Sequence, residues 1–350
     1  MQTQKETLKK DIKSMLPVEI ESELNALGEK DFRAKQIFRW LSRTVKEFSQ
    51  MTDISAALSH KLDERFYITA PEIASRLISE KDGTVKYLWK LGDGHAVESV
   101  LMSYEHGNTA CISSQVGCRM SCVFCASAGA GLVRNLSASE MLDQVMFSAA
   151  ECGKPVSNVV LMGIGEPLDN LENVLRFLNI INNPDGMGIG MRHISLSTCG
   201  IVEGIDKLAE NNLQLTLSIS LHAPDNETRS TLMPVNRKYP VEALMAACKR
   251  YYQITGRRIS FEYALIKGIN DRVWQAERLA SLMKNVHGHI NLIRLNNIEN
   301  SPLKPGDTAE FSRLLKKHGV NVTIRRRLGA DIEAACGQLR RKAEGKEIIV

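Results

Sequence analysis

Three cysteines sit at the spacing C-x3-C-x2-C in Cys118-Arg119-Met120-Ser121-Cys122-Val123-Phe124-Cys125. Thiolates three or four residues apart on a short loop can converge on one metal centre. On a cubane iron–sulfur cluster, three thiolates satisfy three irons and leave the fourth open to a non-protein ligand. A structural zinc site closes its tetrahedron with four protein ligands, and no fourth Cys or His lies nearby at finger spacing. The odd ligand count points to catalysis, and Phe124 offers an apolar cover before the last cysteine.

Other reactive or polar groups stand at the ends of apolar runs. Gly163-Ile164-Gly165-Glu166-Pro167 follows the run 158–162. Its glycines would let a ligand approach the backbone, and Glu166 can accept hydrogen bonds from an ammonium group. Ser197-Thr198-Cys199-Gly200, Ser220-Leu221-His222 and Asn296 close later runs. Each alone is more often a cap or a core residue. Polar groups at successive strand ends of one sheet are harder to dismiss together.

Those positions need a scaffold, and the periodicity supplies one. From residue 105 onward, strands at 109–114, 158–162, 193–198, 214–221, 259–265, 289–294 and 320–324 alternate with helices beginning near Ser137, Leu171, Val202, Val241, Val273 and Thr308. Ser137-Ala138-Ser139-Glu140 has the form of a capping box. Alternating βαβ units imply an α/β fold with a parallel sheet, doubly wound or a full or partial barrel. In such folds the chemistry lies at the C-terminal ends of the strands, and the cysteine loop is expected to close the first core strand. Residues 67–104 read as an antiparallel β meander with strands at 75–80, 84–91 and 95–103. Residues 1–66 read as a small basic helical module, with helices over 16–27, 32–43 (capped by Asp31) and 54–66. Arg33, Lys35, Arg39 and Arg43 share a face of the second helix. Such faces are usually just solvated; an RNA-docking face is the sharper alternative.

Composition sets outer bounds. A net charge of +5 and a pI near 8.7 permit a nucleic-acid partner without establishing one. Eight cysteines in 350 residues do not make a disulfide scaffold, and their clustering suggests metal or redox chemistry in a reducing compartment. Residues 1–13 carry no apolar signal core, and the longest apolar runs are too short for a bilayer. The expectation is a cytoplasmic monomer with no membrane partner.

The cysteine spacing resembles that of the radical S-adenosylmethionine (SAM) superfamily, and the Gly-Glu-Pro turn looks like its recognition element for the SAM amino group. More narrowly, Ser113-Ser114-Gln115-Val116-Gly117-Cys118, Arg134-Asn135-Leu136, Leu221-His222-Ala223-Pro224, Leu232-Met233-Pro234 and Ala334-Ala335-Cys336-Gly337-Gln338-Leu339 resemble the RlmN/Cfr family of RNA adenine methyltransferases. The likeness runs from the basic N-terminal module through Leu339.

The resemblance implies a partial (β/α) barrel core. It implies a [4Fe-4S] cluster on Cys118, Cys122 and Cys125, with SAM chelating the open iron. Gly165, Glu166, Ser197, Ser220, Leu221, His222 and Asn296 match SAM-contact positions. Cys336 matches the cysteine that becomes S-methylated, Cys111 the second catalytic cysteine, and Glu98 a proton acceptor. A lone strand carboxylate such as Glu98 is more usually solvent-facing. The implied chemistry suits adenine, whose C2 and C8 hydrogens are too weakly acidic for ordinary displacement on SAM. A radical made on the Cys336 methyl group adds to the ring, and attack by Cys111 on the Cys336 sulfur releases the product and leaves a disulfide. The implied substrates are 23S rRNA and also tRNA, presenting an unstacked adenine. The implied electron donor is a low-potential protein such as flavodoxin. Pro167 stands where the resistance branch of the family has Ala, which favours C2 over C8. Arg325-Arg326-Arg327 and Arg340-Arg341-Lys342 are candidates for phosphate contacts, the second run equally a solvated tail. Cys152, Cys199 and Cys248 are read as structural. From another class, a metal-stabilised rRNA-binding factor without catalysis would hold zinc. A radical enzyme acting on protein or a small molecule would leave Cys336 without a purpose.

Overall fold

The computed structural model describes residues 9–129, 131–296 and 301–338. The N-terminal part is helical, with α1 (Pro17–Ala26), α2 (Phe32–Leu41) and α3 (Ala56–Arg65), and a short parallel pair, β1 (Lys10–Asp11) with β2 (Phe66–Tyr67), ties its ends. Pro17 opens α1 where a missing N–H leaves no bond unmade, and Glu19 accepts the Leu16 N–H at 2.7 Å. Ser55 caps α3 by accepting from Leu58 N–H. Asp31 does not cap α2: its own φ and ψ are helical and its side chain accepts nothing from the helix. The chain turns one residue sooner, with Arg33 N–H bonded to Lys30 O, so Asp31 is already inside the first turn.

The meander strands are β3 (Glu72–Ile78), β4 (Val85–Lys90) and β5 (Ala96–Tyr104). The core strands are β6 (Gly107–Ile112), β9 (Val156–Leu161), β10 (Ile194–Thr198), β11 (Thr216–Ser220), β12 (Ile259–Leu265), β13 (Gly288–Arg294) and β14 (Val322–Ile324), and β7 (Gln115–Cys118) with β8 (Gly131–Asn135) forms a separate ribbon. The connecting helices are α4 (Ala138–Cys152), α5 (Leu171–Asn182), α6 (Val202–Glu210), α7 (Asn226–Leu232), α8 (Val241–Thr255), α9 (Val273–Met283) and α10 (Thr308–Lys317). The capping box at the start of α4 forms as expected, through Ser137 and Glu140.

Meander and core are one ten-stranded sheet in the order β14-β13-β12-β11-β10-β9-β6-β5-β4-β3. β6 joins the halves, antiparallel to β5 and parallel to β9. From β6 to β14 each parallel strand lies beside its predecessor in the chain. A doubly wound sheet reverses its strand order at a switch point; this one never does, which is barrel winding. The sheet curls far enough that Arg325, just past β14, puts Nη2 3.2 Å from Met162 Sδ, just past β9. Among the described residues β14 and β6 do not pair, so the barrel is partial.

The cysteine loop does not close the first core strand. β6 ends at Ile112, where Ser114 N–H bonds Ile164 O at 2.9 Å, and the loop hangs between β7 and β8. Gly117, at φ +77°, makes the bulge in that ribbon; a Cβ there would stand 2.1 Å from Gly131 O.

The helical module is pinned to α4 by a buried ion pair. Lys13 Nζ lies 2.8 Å from Asp143 Oδ1, with the side chains 1% and 2% exposed, and Lys13 also donates to Thr69 O. Removing one partner strands a buried charge. Asp143→Ala is therefore expected to cost about 3–5 kcal/mol in chemical denaturation, and the joint Lys13→Met, Asp143→Leu change to recover most of it.

Candidate active site

At the C-terminal ends of the parallel strands lies a cleft of about 1030 Å³, counted out to its open mouth. It brings together Cys118, Cys122, Cys125, Gly165, Glu166, Ser197, Ser220, His222, Asn296 and Cys336. Leu221 is not on its wall. Ser220, the last residue of β11, and His222, in the left-handed region at φ +54°, line the cleft, while the Leu221 side chain packs in the core. The Leu221 N–H and C=O are also engaged, with Glu262 O and Arg229 Nε.

The cysteine loop is fixed from three sides. Cys125 N–H bonds Cys122 O at 3.1 Å, Val123 N–H bonds Leu232 O at 3.0 Å, and Ala126 N–H bonds Gly337 O at 2.8 Å. Ser121, in the left-handed region at φ +54°, lets the loop double back between cysteines. The Phe124 ring meets the His222 ring edge-on at 4.6 Å. Burial pushes the Cys118 thiol up to about 11 and Cys122 further still, and the neighbouring thiols add to both. Two such thiols side by side ionise together only where a metal centre supplies the opposing charge. Among the described residues no three His, Cys, Asp or Glu side chains gather at a single-ion position. A cubane takes each thiolate on a different iron, so its ligands stand further apart than those of one ion. The donor set of three cysteines on one wall fits such a cluster with one iron open.

The glycines of the Gly163-Ile164-Gly165 turn answer to the chain itself. A Cβ on Gly163 would lie 2.6 Å from Ile112 O, and one on Gly165 would lie 2.7 Å from Gln115 Cβ. They let the turn press against the segment leading into the cysteine loop. Glu166 is buried, and its two oxygens accept Leu168 N–H at 3.0 Å and Cys199 N–H at 2.7 Å. Burial pushes its carboxyl up against those bonds. A carboxylate has about four acceptor sites, so it can still receive an ammonium.

His222 is locked and neutral. Burial pushes its imidazole down to about 3, and Nδ1 accepts Ala264 N–H at 2.8 Å, which a protonated ring could not do. Asn296 donates to Cys336 O at 2.9 Å, while its buried Oδ1 has no partner among the described residues. An orphaned acceptor on this wall fits a polar ligand such as SAM.

A second cavity adjoins the first, lined by Val100, Met102, Tyr104, Cys111, Met162 and Arg325–Arg327 among others, and by Cys336. Cys336 thus stands on both walls. Burial first, and the Cys336 charge second, push the Cys111 thiol up to about 12. No disulfide joins Cys111 and Cys336 in this structure.

Glu98 is buried rather than solvent-facing, on the same strand face as Val100, which lines the second cavity. It is 3% exposed and pairs with Lys86 at 3.3 Å. The sequence could not show why: the 329–338 segment, far off in the chain, covers this face of the meander. Arg325 also departs from its expected phosphate role. It turns inward, 3.6 Å from Glu262, and the charges of Cys336 and Glu262 hold its proton more tightly than usual. Arg326 and Arg327 remain exposed. The run at 340–342 lies outside the described residues.

Two residues of the site escaped sequence reasoning. Glu262 lies on the cleft wall with Ser260 and Asn291 bonded to its oxygens. Its signal was available, since it is the one charge in the apolar run 259–265. Arg229, wholly buried, bonds Ser220 O and Cys199 O at the strand ends beneath the cleft. Nothing in its sequence neighbourhood sets it apart from a surface arginine.

A parallel, partly closed barrel with a three-cysteine loop at its C-terminal rim defines a radical SAM protein. Residues 112–280 match the Radical SAM superfamily, and residues 11–68 match the ribosomal RNA large subunit methyltransferase N-terminal domain. The chain is 51% identical over 336 residues to the probable dual-specificity RNA methyltransferase RlmN of Thermoanaerobacter sp. (strain X514), covering 95% of this chain and 98% of that one. A relative of the same name from Alkaliphilus oremlandii is 51% identical over 335 residues, with the same coverage. The crystal structure of a radical SAM methyltransferase from Sphaerobacter thermophilus superposes with a TM-score of 0.90 at 40% identity, covering 95% of this chain and 99% of that one. The chain belongs to the RlmN family of radical SAM RNA methyltransferases, enzymes that use a [4Fe-4S] cluster and SAM. Among the described residues no helix is long and apolar enough to cross a membrane.

Proposed function

We propose that this enzyme methylates carbon 2 of an adenosine in 23S rRNA, and of one in tRNA, through an S-methylated Cys336. The observation that carries the reading is the place of Cys336 on the walls of two adjoining cavities. One holds the three-cysteine loop, the other Cys111. A group that must first meet a radical source and later a second thiol needs such a position.

Cys118, Cys122 and Cys125 would hold the cluster, and Gly165, Glu166, Ser197, Ser220, His222 and Asn296 would hold SAM. Bound there, the cluster with SAM would supply a 5′-deoxyadenosyl radical and take back one electron per turnover. Cys336 takes a methyl group from a first SAM, with S-adenosylhomocysteine and the thiol proton leaving, gives up a hydrogen atom of that methyl to the radical that a second SAM would supply, and bonds through the resulting methylene carbon to the adenine. Glu98 takes the ring proton, which restores aromaticity. Cys111 then forms the S–S bond to Cys336 as the carbon–sulfur bond breaks. The electron pair of that bond stays on carbon, which takes a proton to become the methyl group. Two electrons from an outside donor, of the flavodoxin type or a thiol, return the disulfide to thiols. The name of the N-terminal match and the dual-specificity name of the relatives support ribosomal RNA plus a second RNA. The exposed basic residues of α2, beside Trp40 and Phe32, would dock it. We place this chemistry in the cytoplasm, with the enzyme acting as a monomer.

The test is to purify the protein without oxygen, add SAM, reductant and RNA, and locate the new methyl group by mass spectrometry. A brown protein giving 2-methyladenosine is expected. An 8-methyladenosine product would move the enzyme to the resistance type, which the Pro167 turn disfavours. A colourless zinc protein with no methyl transfer would overturn catalysis altogether.

A further inference from the structure

Glu98 has a buried partner that the chemistry above does not use. Lys86 Nζ lies 3.3 Å from Glu98 Oε1, the two side chains 10% and 4% exposed. The same ammonium lies 3.4 Å from Glu333 O, three residues before Cys336. Lys86, Val100 and Cys111 form one cross-strand row over β4, β5 and β6, and Glu98 lies one strand repeat along on the same face. Ala334 packs in the cluster of Val100 and Cys111. Two groups of the release step thus meet at one ammonium, the carboxylate of Glu98 and the backbone leading to Cys336, with Cys111 two strands away in the same row.

We propose that Lys86 is the positioning residue of the release step, keeping Glu98 ionised and aligned with the loop that carries Cys336. This rests on the function proposed above. A carboxylate in a dry site is driven toward its neutral form, and a neutral acid cannot accept a proton. An ammonium at contact distance opposes that drift. The bond to Glu333 O sets the approach of the loop, so acceptor and adduct come into register together. Glu98 then takes the ring proton as the C–H bond breaks, its electron pair entering the ring. Lys86 is not the loop's main anchor. Ser79 Oγ and Glu80 N–H bond the Asp331 carboxylate at 2.7 and 3.1 Å, and Gly329 N–H bonds Asp82 Oδ2 at 2.9 Å. Without Lys86 those bonds still hold Cys336 near the cleft.

The experiment separates the half-reactions in the cluster-loaded enzyme. Cys336 methylation is read by mass spectrometry, and the protein–RNA adduct by denaturing gel. Lys86→Met is expected to methylate Cys336 within about twofold of the wild type. It should accumulate the adduct and release RNA about a hundredfold slower, the scale on which a general base contributes. Lys86→Arg, which keeps a cation, should restore most of the release rate. Release by Lys86→Met at the wild-type rate overturns the proposal, as does an equal loss in both half-reactions. If Lys86→Met does not fold, the uncharged double variant Lys86→Met, Glu98→Gln strands no buried charge. It should release RNA no slower than Glu98→Gln alone, and a further tenfold loss overturns the proposal. Failure of the proposed function looks different: no methylcysteine and no adduct would form even in Cys111→Ala.

Discussion

Cys111→Ala should leave the enzyme covalently attached to its RNA. The variant keeps the three-cysteine loop and the SAM-lining residues, so its iron content, its colour and one methyl group on Cys336 should match the wild type. Radical formation and addition to adenine should proceed once. The methylene bridge then joins Cys336 to the ring, and only a thiolate aimed at the Cys336 sulfur can break it. Cys111 and Cys336 are the two cysteines on the wall of the second cavity among the described residues, and Val100, Met162 and Ala334 make much of the rest apolar. No other side chain there can take over the attack. Multiple-turnover methylation should fall by at least about a thousandfold, the scale seen when an essential nucleophile is removed, while one adduct per enzyme accumulates. The fold should survive, since losing one buried sulfur costs on the order of 1–2 kcal/mol. Repeated turnover by Cys111→Ala would remove Cys111 from the reaction. A variant with no adduct but an intact methylcysteine would place Cys111 before addition rather than after it.

What the sequence could reveal of this site follows from how far each signal reaches along the chain. The cysteine loop, the glycine turn and the polar strand ends are local patterns, and a parallel sheet gathers its strand ends at one edge by its own geometry. Ser197, Ser220 and Asn296 could be placed on that edge without knowing which strand neighbours which. The period-two signal of the meander was equally local, but not its fusion to the parallel sheet through β6, which depends on one strand pairing in opposite senses with its two neighbours. Glu98 shows the limit most clearly. Its burial depends on Asp331 and Glu333, more than two hundred residues away, folding over the hairpin at 79–84. Leu221 shows the reverse: the motif match carried it into the binding set, although its apolar side chain packs in the core.

Arg229 carries the second large expected effect. All five guanidinium N–H groups find an oxygen: Leu221 O at 3.1 Å, Asn236 Oδ1 at 2.9 Å, Tyr239 O at 3.4 Å, Cys199 O at 2.6 Å and Ser220 O at 3.1 Å. Burial works against the charge, and no carboxylate is among these partners. Oriented amide and carbonyl dipoles serve instead, and three of them, Cys199 O, Ser220 O and Leu221 O, come from the ends of β10 and β11 that present Ser197, Ser220 and His222 to the cleft. Arg229→Met removes five donors and leaves up to four acceptors facing apolar packing, since Leu221 O keeps the Ala223 N–H at 2.7 Å. At about 1–3 kcal/mol for each unsatisfied buried group, the loss rivals the whole stability of a typical domain, roughly 5–15 kcal/mol. The variant should be insoluble, or melt far below the wild type and bind no SAM. Arg229→Lys keeps the charge but has three donors for the four acceptors that depend on this residue, so at least one stays unfilled. It should fold with a clear loss of melting temperature and with SAM binding weakened more than global stability, since the unfilled acceptors lie under the cleft. A wild-type melting temperature for Arg229→Met would show that the carbonyls have other partners, and that the strand ends do not depend on this arginine for their shape.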